Sequence, residues 1–377
     1  MTDKKEKKLP PHQKAAYNYF HKLSANKKEP DDEFHIINER ERAEINKSVR
    51  KAMITAGATG AIAVLAYYLP LYIFPDFFNS YNQIIRIGSF EMEVNFLTIS
   101  ISLTLIFLEI FILTVINIRS VAETAIACGF PDKRDPNHDL HLEQLFNVGL
   151  DVKNKETLKF GIDPYAGVPK FYIFLFTVWN LIKATLTNFI VKMIVVKIFA
   201  RAGVRAYADL VGVPVFAVWN AVASWRIIQA AKVYIMAPGV IHQLAEEVKY
   251  LKDDEDFKQN IFDAMQYVVS VKRSFHHNHY LLVEKLIHVF DLTNFKDAEP
   301  NPTLFLQNIK NSEEKIKKAY SKLIVMGMFI DGSISMKDKK VLKKLYTEKI
   351  INLNPDDVGK WCKQFKNGEG LDEFIKK

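Results

Sequence analysis

Residues 94–118 read VNFLTISISLTLIFLEIFILTVINI, 25 residues with a single charge at Glu109. An α-helix rises about 1.5 Å per residue, so this run extends ~37 Å, more than the ~30 Å hydrocarbon core of a bilayer. Residues 52–74, AMITAGATGAIAVLAYYLPLYIF, form a second run of 23 residues with no charge. Apolar stretches of this length predict a two-span transmembrane hairpin over 52–118 rather than two buried helices of a soluble domain.

The flanks orient the hairpin. Arg50 and Lys51 precede the first run and Arg119 follows the second, whereas 75–93 sets Asp76, Glu91 and Glu93 against Arg86. Basic flanks stay on the cytoplasmic side, which predicts an internal N-terminus and a short external turn. Asn79, Ser80 and Asn82 suit such a turn, and Tyr67, Tyr68, Tyr72 and Tyr81 fall where an interfacial belt would lie. Residues 1–51 are polar, with no apolar core of a signal peptide in the first 30. They predict a cytoplasmic N-terminal segment whose last part, from 32, enters the membrane as a charged helix.

The whole chain has 377 residues, with 51 Lys+Arg against 43 Asp+Glu and a net charge of +8. The basic residues are not interleaved with aromatic ones as in a nucleic-acid groove, so the expected anionic partner is the inner leaflet, not nucleic acid. Cys128 and Cys362 are the only cysteines and stand in no zinc spacing, which excludes a disulfide framework.

Residues 171–234 are apolar but interrupted by lysines and arginines. At 100° per residue Lys183, Lys197, Arg201 and Arg205, with Thr187, share a stripe about 80° wide. That pattern predicts a hairpin lying in the membrane interface or packed under the spans, in preference to two further spans. In either case the crossings are even in number and the C-terminus is cytoplasmic. Trp179, Trp219 and Trp225 suit anchoring at headgroup level. Beyond a linker helix at 236–257, helices are predicted over 257–271, 275–290, 302–308, 313–329, 335–346 and 355–365. No run alternates convincingly with period 2, so the predicted fold class is all-α.

Three segments carry two family resemblances. Residues 126–150, IACGFPDKRDPNHDLHLEQLFNVGL, and 210–231, LVGVPVFAVWNAVASWRIIQAA with Asn220 inside it, resemble the EcsC family of helical, membrane-associated bacterial proteins. That resemblance covers about 119–235 and implies a membrane-associated helical region in a bacterial inner membrane. Residues 323–342, LIVMGMFIDGSISMKDKKVL, resemble a TerB-like helical domain over about 258–377. It implies a cytoplasmic helical bundle, linked to tellurite and envelope stress and to membrane-associated scaffolds, with acidic residues proposed to bind metal.

The residues of that turn have their own reading. Gly332 supplies a positive φ to leave one helix, and Ser335 with Asp338 has the spacing of a capping box for the next. Asn354-Pro355-Asp356-Asp357 is expected to start another helix by the same logic. Asp331 to Asp338 also matches the second half of a calcium loop, but Gly327 and Phe329 stand where its first carboxylates belong, so a structural turn is expected and no metal.

Four other groups of residues are candidates for chemistry. Glu109, near mid-span, must be protonated, paired or turned toward protein. A hydrogen bond to Ser100, Ser102, Thr104 or a hydroxyl of the first span is the expectation, proton or ion handling the alternative. Ala56, Gly57, Gly60 and Ala61 form small-xxx-small pairs, expected to pack within the hairpin or between subunits of a homo-oligomer. His276, His277 and His279 cluster, with His276, Glu284 and His288 on one face, and His138, Asp139, His141 and Glu143 form a second group. Both are expected to be solvated helix faces. The chain has no GxSxG, phosphate loop, GxGxxG or HExxH. No cofactor and no enzyme activity is therefore expected. The functional expectation is a membrane-anchored scaffold or regulator, binding a protein partner through its C-terminal bundle, linked by resemblance to envelope stress or protein export. The alternative is an oligomer carrying protons or a small ion past Glu109.

Overall fold

A computed structural model describes residues 17–20, 22, 36–87, 90–131, 137–150, 162–164, 212–292 and 302–377. The described residues are mostly helical. Helix α1, Glu39–Ile73, is opened by a reciprocal cap: Asn38 Oδ1 accepts from the Glu41 N–H at 2.9 Å and Glu41 returns the bond at 3.1 Å. The charged segment thus continues unbroken into the first apolar run. The short α2, Pro75–Asn79, follows, then strands β1, Asn82–Ile87, and β2, Phe90–Asn95, then α3, Phe96–Ala127.

The strands correct the expected turn. They pair antiparallel with Asn82 opposite Asn95 and Ile87 opposite Phe90. The signal lies in the sequence: Phe90, Met92 and Val94 alternate with Glu91, Glu93 and Asn95, and Gly-Ser at 88–89 is the composition of a two-residue hairpin connection. Reading the segment for charge alone hides the alternation.

After α4, His138–Gly149, comes the long α5, Gly212–Val248, and then α6, Glu255–Gln259, α7, Ile261–Lys272, α8, His277–Phe290, α9, Pro302–Asn311, α10, Glu314–Phe329, α11, Met336–Thr347, α12, Val358–Asn367, and α13, Asp372–Lys376. The predicted C-terminal helices agree with α7 to α12 to within a few residues. Residues 354–357 differ, because Asn354 Oδ1 accepts from the Asp356 N–H at 3.0 Å in a turn and α12 begins only at Val358.

The contacts divide the chain into two compact units. Unit 1 comprises Met1–Leu23, Ile45–Glu123 and Lys170–Ile228; unit 2 comprises Ser24–Glu44, Thr124–Pro169 and Gln229–Lys377. In unit 1 the long apolar helices keep much of their surface exposed: Leu103 51%, Phe107 71%, Ile110 56% and Phe111 66%. In unit 2, α10 is buried on every side from Ala319 to Ile330 and packs on α7. Phe257, Phe305 and Tyr320 stack at one end of that core, and Phe329, Trp361 and Phe374 at the other.

Candidate functional site

In unit 1 two carboxylates of α3, Glu109 and Glu123, mark a seam where other helices bring polar side chains. Glu109 Oε1 accepts a 2.6 Å hydrogen bond from Asn220 Nδ2 on α5. This corrects the expected partner, and the reason is local. The Ser100, Thr104, Thr55 and Thr59 hydroxyls all donate to carbonyls of their own helices, the usual recourse of hydroxyls on apolar helices. Ser102 carries no bond to Glu109 either.

Asn220 reaches Glu109 because α1 offers glycine. A Cβ on Gly60 would meet Asn220 Nδ2 at 2.6 Å and the Phe216 carbonyl oxygen at 2.8 Å; one on Gly57 would meet the Ala217 carbonyl oxygen at 3.1 Å. Gly57 and Gly60 of the small-residue pairs therefore receive a third helix. Gly57, Gly60 and Ala56 are buried, while Ala61 is half-buried. Gly212 lies by Val64, Phe216 by Gly60 and Ala221 by Gly57, so residues 212–221 of α5 run antiparallel to residues 57–64 of α1. For 212–221 this is packing against the first apolar helix, one of the two arrangements expected of the segment. The stripe Lys183, Lys197, Arg201 and Arg205, with Thr187 and Trp179, falls outside the described residues. Trp219 and Trp225 are exposed at 54% and 41%.

At the other end of the seam Ser48 Oγ donates to Glu123 Oε2 at 2.8 Å, and Glu123 Oε1 takes the Arg119 Nε at 2.8 Å with Lys51 Nζ at 3.9 Å. The Glu123 carboxylate, by hydrogen bond and charge, raises Arg119 above the usual guanidinium range.

Unit 2 has two buried polar clusters. The turn after α10 folds as its sequence indicates: Gly332 has φ +75°, the Asp338 N–H donates to Ser335 Oγ at 3.1 Å, and the Ser335 N–H to Asp338 Oδ2 at 2.8 Å. Its acids face an internal cation. Lys272 Nζ lies 2.7 Å from Asp331 Oδ2 and 3.6 Å from Asp338 Oδ2, and donates to the Met328 and Ser333 carbonyls at 2.9 Å each. An ammonium occupies the place the carboxylates would offer a metal. Sequence reading missed Lys272 because a lysine in the last turn of a helix ordinarily faces solvent and the helix dipole. Lys322, in the interior of α10 and 2% exposed, is a second internal cation: it donates to Glu247 Oε1 at 2.8 Å and to the Ile375 carbonyl.

The expected solvated histidines are largely buried. The His276 N–H donates to His279 Nδ1 at 3.0 Å, which leaves His279 Nε2–H to donate to the Gly327 carbonyl at 2.8 Å. His276 Nδ1 accepts from the Asn278 N–H at 3.1 Å, so these two residues cap α8. Burial, reinforced by the neighbouring His279, pushes His276 down to about 4, and burial lowers His279 likewise. His141 Nδ1 lies 2.6 Å from the Tyr234 hydroxyl, which lies 3.4 Å from His277 Nε2. Glu284 accepts from Tyr280 at 3.1 Å, and His288, Asp139 and Glu143 are exposed. Neither histidine group converges: among the described residues no three His, Cys, Asp or Glu side chains are placed to hold a metal.

The capping histidines predict a pH dependence. An unfolded histidine titrates near 6.5, so between about pH 6.5 and 4 the unfolded chain binds protons that folded His276 excludes. Stability is full above that window and falls as pH drops through it, by at most about 1.4 kcal/mol per pH unit for each such histidine. His276→Asn keeps a capping acceptor and removes the titration, so its melting temperature falls less steeply between pH 7 and 4.5. Parallel curves for the two proteins would contradict this.

Compared with known proteins, the chain matches no family model, no curated protein and no solved structure.

Proposed function

We propose that the protein is an integral membrane anchor carrying a non-enzymatic helical scaffold or regulator. The observation that carries this reading is the exposed apolar surface of α3, from Leu103 to Phe111, on a helix long enough to cross a bilayer. Water would not tolerate so continuous a belt, whereas lipid tails would cover it. The polar groups singled out in unit 2 support the second half, since Lys272, His276 and His279 are taken up by caps and buried pairs. The outward face of α11, with Lys339, Lys340, Lys343 and Lys344 exposed, is the surface offered to an acidic partner protein. We link such a role to envelope stress or protein export, as the resemblances of 126–150, 210–231 and 323–342 imply.

Alkaline carbonate washing tests the anchor: the full chain stays in the membrane pellet and leaves it only with detergent. Release by carbonate contradicts the reading. Replacing the four α11 lysines by glutamate tests the scaffold, because the proteins crosslinked to the chain in intact membranes then change while carbonate resistance stays. An unchanged crosslinked set contradicts that half.

A further inference from the structure

We propose that α13 fills a peptide-docking groove of unit 2, and that this groove takes, in place of α13, a short acidic segment with an aromatic anchor from a partner protein. The inference rests on the scaffold reading and deepens it, naming a second docking surface and the chemistry of what docks there.

The groove is defined by its present occupant. Residues 371–377 read LDEFIKK, and only Asp372–Lys376 is helical. Five residues are too few to hold a helix in water, and no side chain caps the start of this one. Its shape therefore comes from the surface beneath it. Leu371, Phe374 and Ile375 are 1%, 0% and 9% exposed, whereas Asp372 and Glu373 face outward. Phe374 is the anchor, its ring 5.0 Å from that of Trp361 on α12 and 5.5 Å from that of Phe329 at the end of α10. Lys322 donates to the Ile375 carbonyl, one of those that a helix end leaves without an intrahelical donor. At the rim Lys360 Nζ meets Glu373 Oε2 at 2.6 Å. An aromatic floor, a basic rim and a cation at the carbonyl end suit a short amphipathic helix laid in a groove.

Two observations mark α13 as a replaceable occupant. Trp361 Nε1 and Gln364 Oε1 are buried without a hydrogen-bond partner, three residues apart on one side of α12. Buried polar atoms are nearly always satisfied, and a donor and an acceptor so placed match the C=O and N–H of a peptide backbone. The segment now in the groove serves neither, so an occupant that bonds them gains over it. The second observation is the attachment. Gly368, at φ +70°, closes α12, and a second glycine at 370 leaves the connection free to pivot. Lys377 Nζ lies 3.0 Å from Asp357 Oδ2, 3.1 Å from Glu373 Oε1 and 5.3 Å from the centre of the Trp361 ring. The side chains of Lys377, Asp357 and Glu373 are 42%, 34% and 47% exposed, and ion pairs that water reaches hold little.

The occupant's pattern gives the partner's: an apolar residue, two acids, an aromatic ring and a second apolar residue. The ring enters between Trp361 and Phe329, and the acids meet Lys360.

The test is fluorescence anisotropy of the labelled peptides LDEFIKK and LEEWLKK, titrated with the full chain in detergent. A groove closed by its own helix more than about nine-tenths of the time weakens binding from outside at least tenfold. Phe374→Ala in the chain therefore binds both peptides at least tenfold more tightly than wild type does. Adding Lys360→Glu to that chain weakens LDEFIKK several-fold, and the charge-swapped LDKFIKK recovers the loss. The anchorless LDEAIKK binds no chain. Amide exchange along α10 shows whether Phe374→Ala stays folded. Glu373→Lys, which sets α13 against Lys360 and Lys377 without touching the core, opens the groove independently and strengthens LDEFIKK binding too. Equal affinity of wild type and both opened chains for LDEFIKK, or equal binding of LDEFIKK and LDEAIKK, overturns the inference. Either result leaves carbonate resistance and the crosslinking change of the α11 variant as they are, which separates it from failure of the scaffold reading.

Discussion

Lys272→Met lowers the stability of unit 2 by about 3–5 kcal/mol, the cost of removing one partner from a buried ion pair. The side chain of Lys272 is 4% exposed, and those of Asp331 and Asp338 are 11% and 5%. Methionine fills the volume of the lysine stem, so the loss is electrostatic: two carboxylates remain beside each other without a cation, and the Met328 and Ser333 carbonyls lose their donor. Amide hydrogen exchange along α10 reads the effect, rising by between about two and four orders of magnitude if the whole unit opens. Asp331→Asn in the Lys272→Met background restores part of the protection, because it removes one of the stranded charges. Wild-type exchange in Lys272→Met would mean that the ammonium does not hold the turn to α7.

Gly60→Leu separates α5 from α1. The added Cβ would lie 2.8 Å from the Phe216 carbonyl oxygen and 3.0 Å from its carbon, and backbone cannot rotate away as a side chain can. Overpacking of this kind costs about 1–3 kcal/mol or more, and here it also pushes Asn220 off Glu109. Gly57→Ala is milder, since its nearest neighbour stands at 3.1 Å. Unfolding in mixed SDS and detergent micelles orders the three proteins: wild type and Gly57→Ala close together, Gly60→Leu well below. Equal midpoints for Gly60→Leu and wild type would contradict the packing.

How much of this was legible depends on the range of the interaction. Hydrophobic runs, the Ser335–Asp338 cap and the positive φ at Gly332 are properties of a few neighbouring residues, and the structure has them where the sequence puts them. The β-hairpin was equally local but lay under an assumption about charge. Pairings across long sequence separations were not legible. Glu109 and Asn220 are 111 residues apart, and Lys272 and Asp331 meet only because α7 packs on α10. The histidines misled for a related reason: spacing on α8 cannot show that the chain folds back over His279 to offer the Gly327 carbonyl.

Cysteine accessibility tests the membrane anchor most directly. Native Cys128 and Cys362 are both buried, and burial pushes the Cys362 thiol up, so neither reacts readily in the folded chain. Ile84, between the two long apolar helices, is 67% exposed, and Met336, at the start of α11, is 73% exposed. With a membrane-impermeant maleimide, Ile84→Cys is labelled in intact cells and protected in inverted vesicles, and Met336→Cys shows the reverse. Labelling of both positions from the same side would contradict a hairpin that crosses the bilayer.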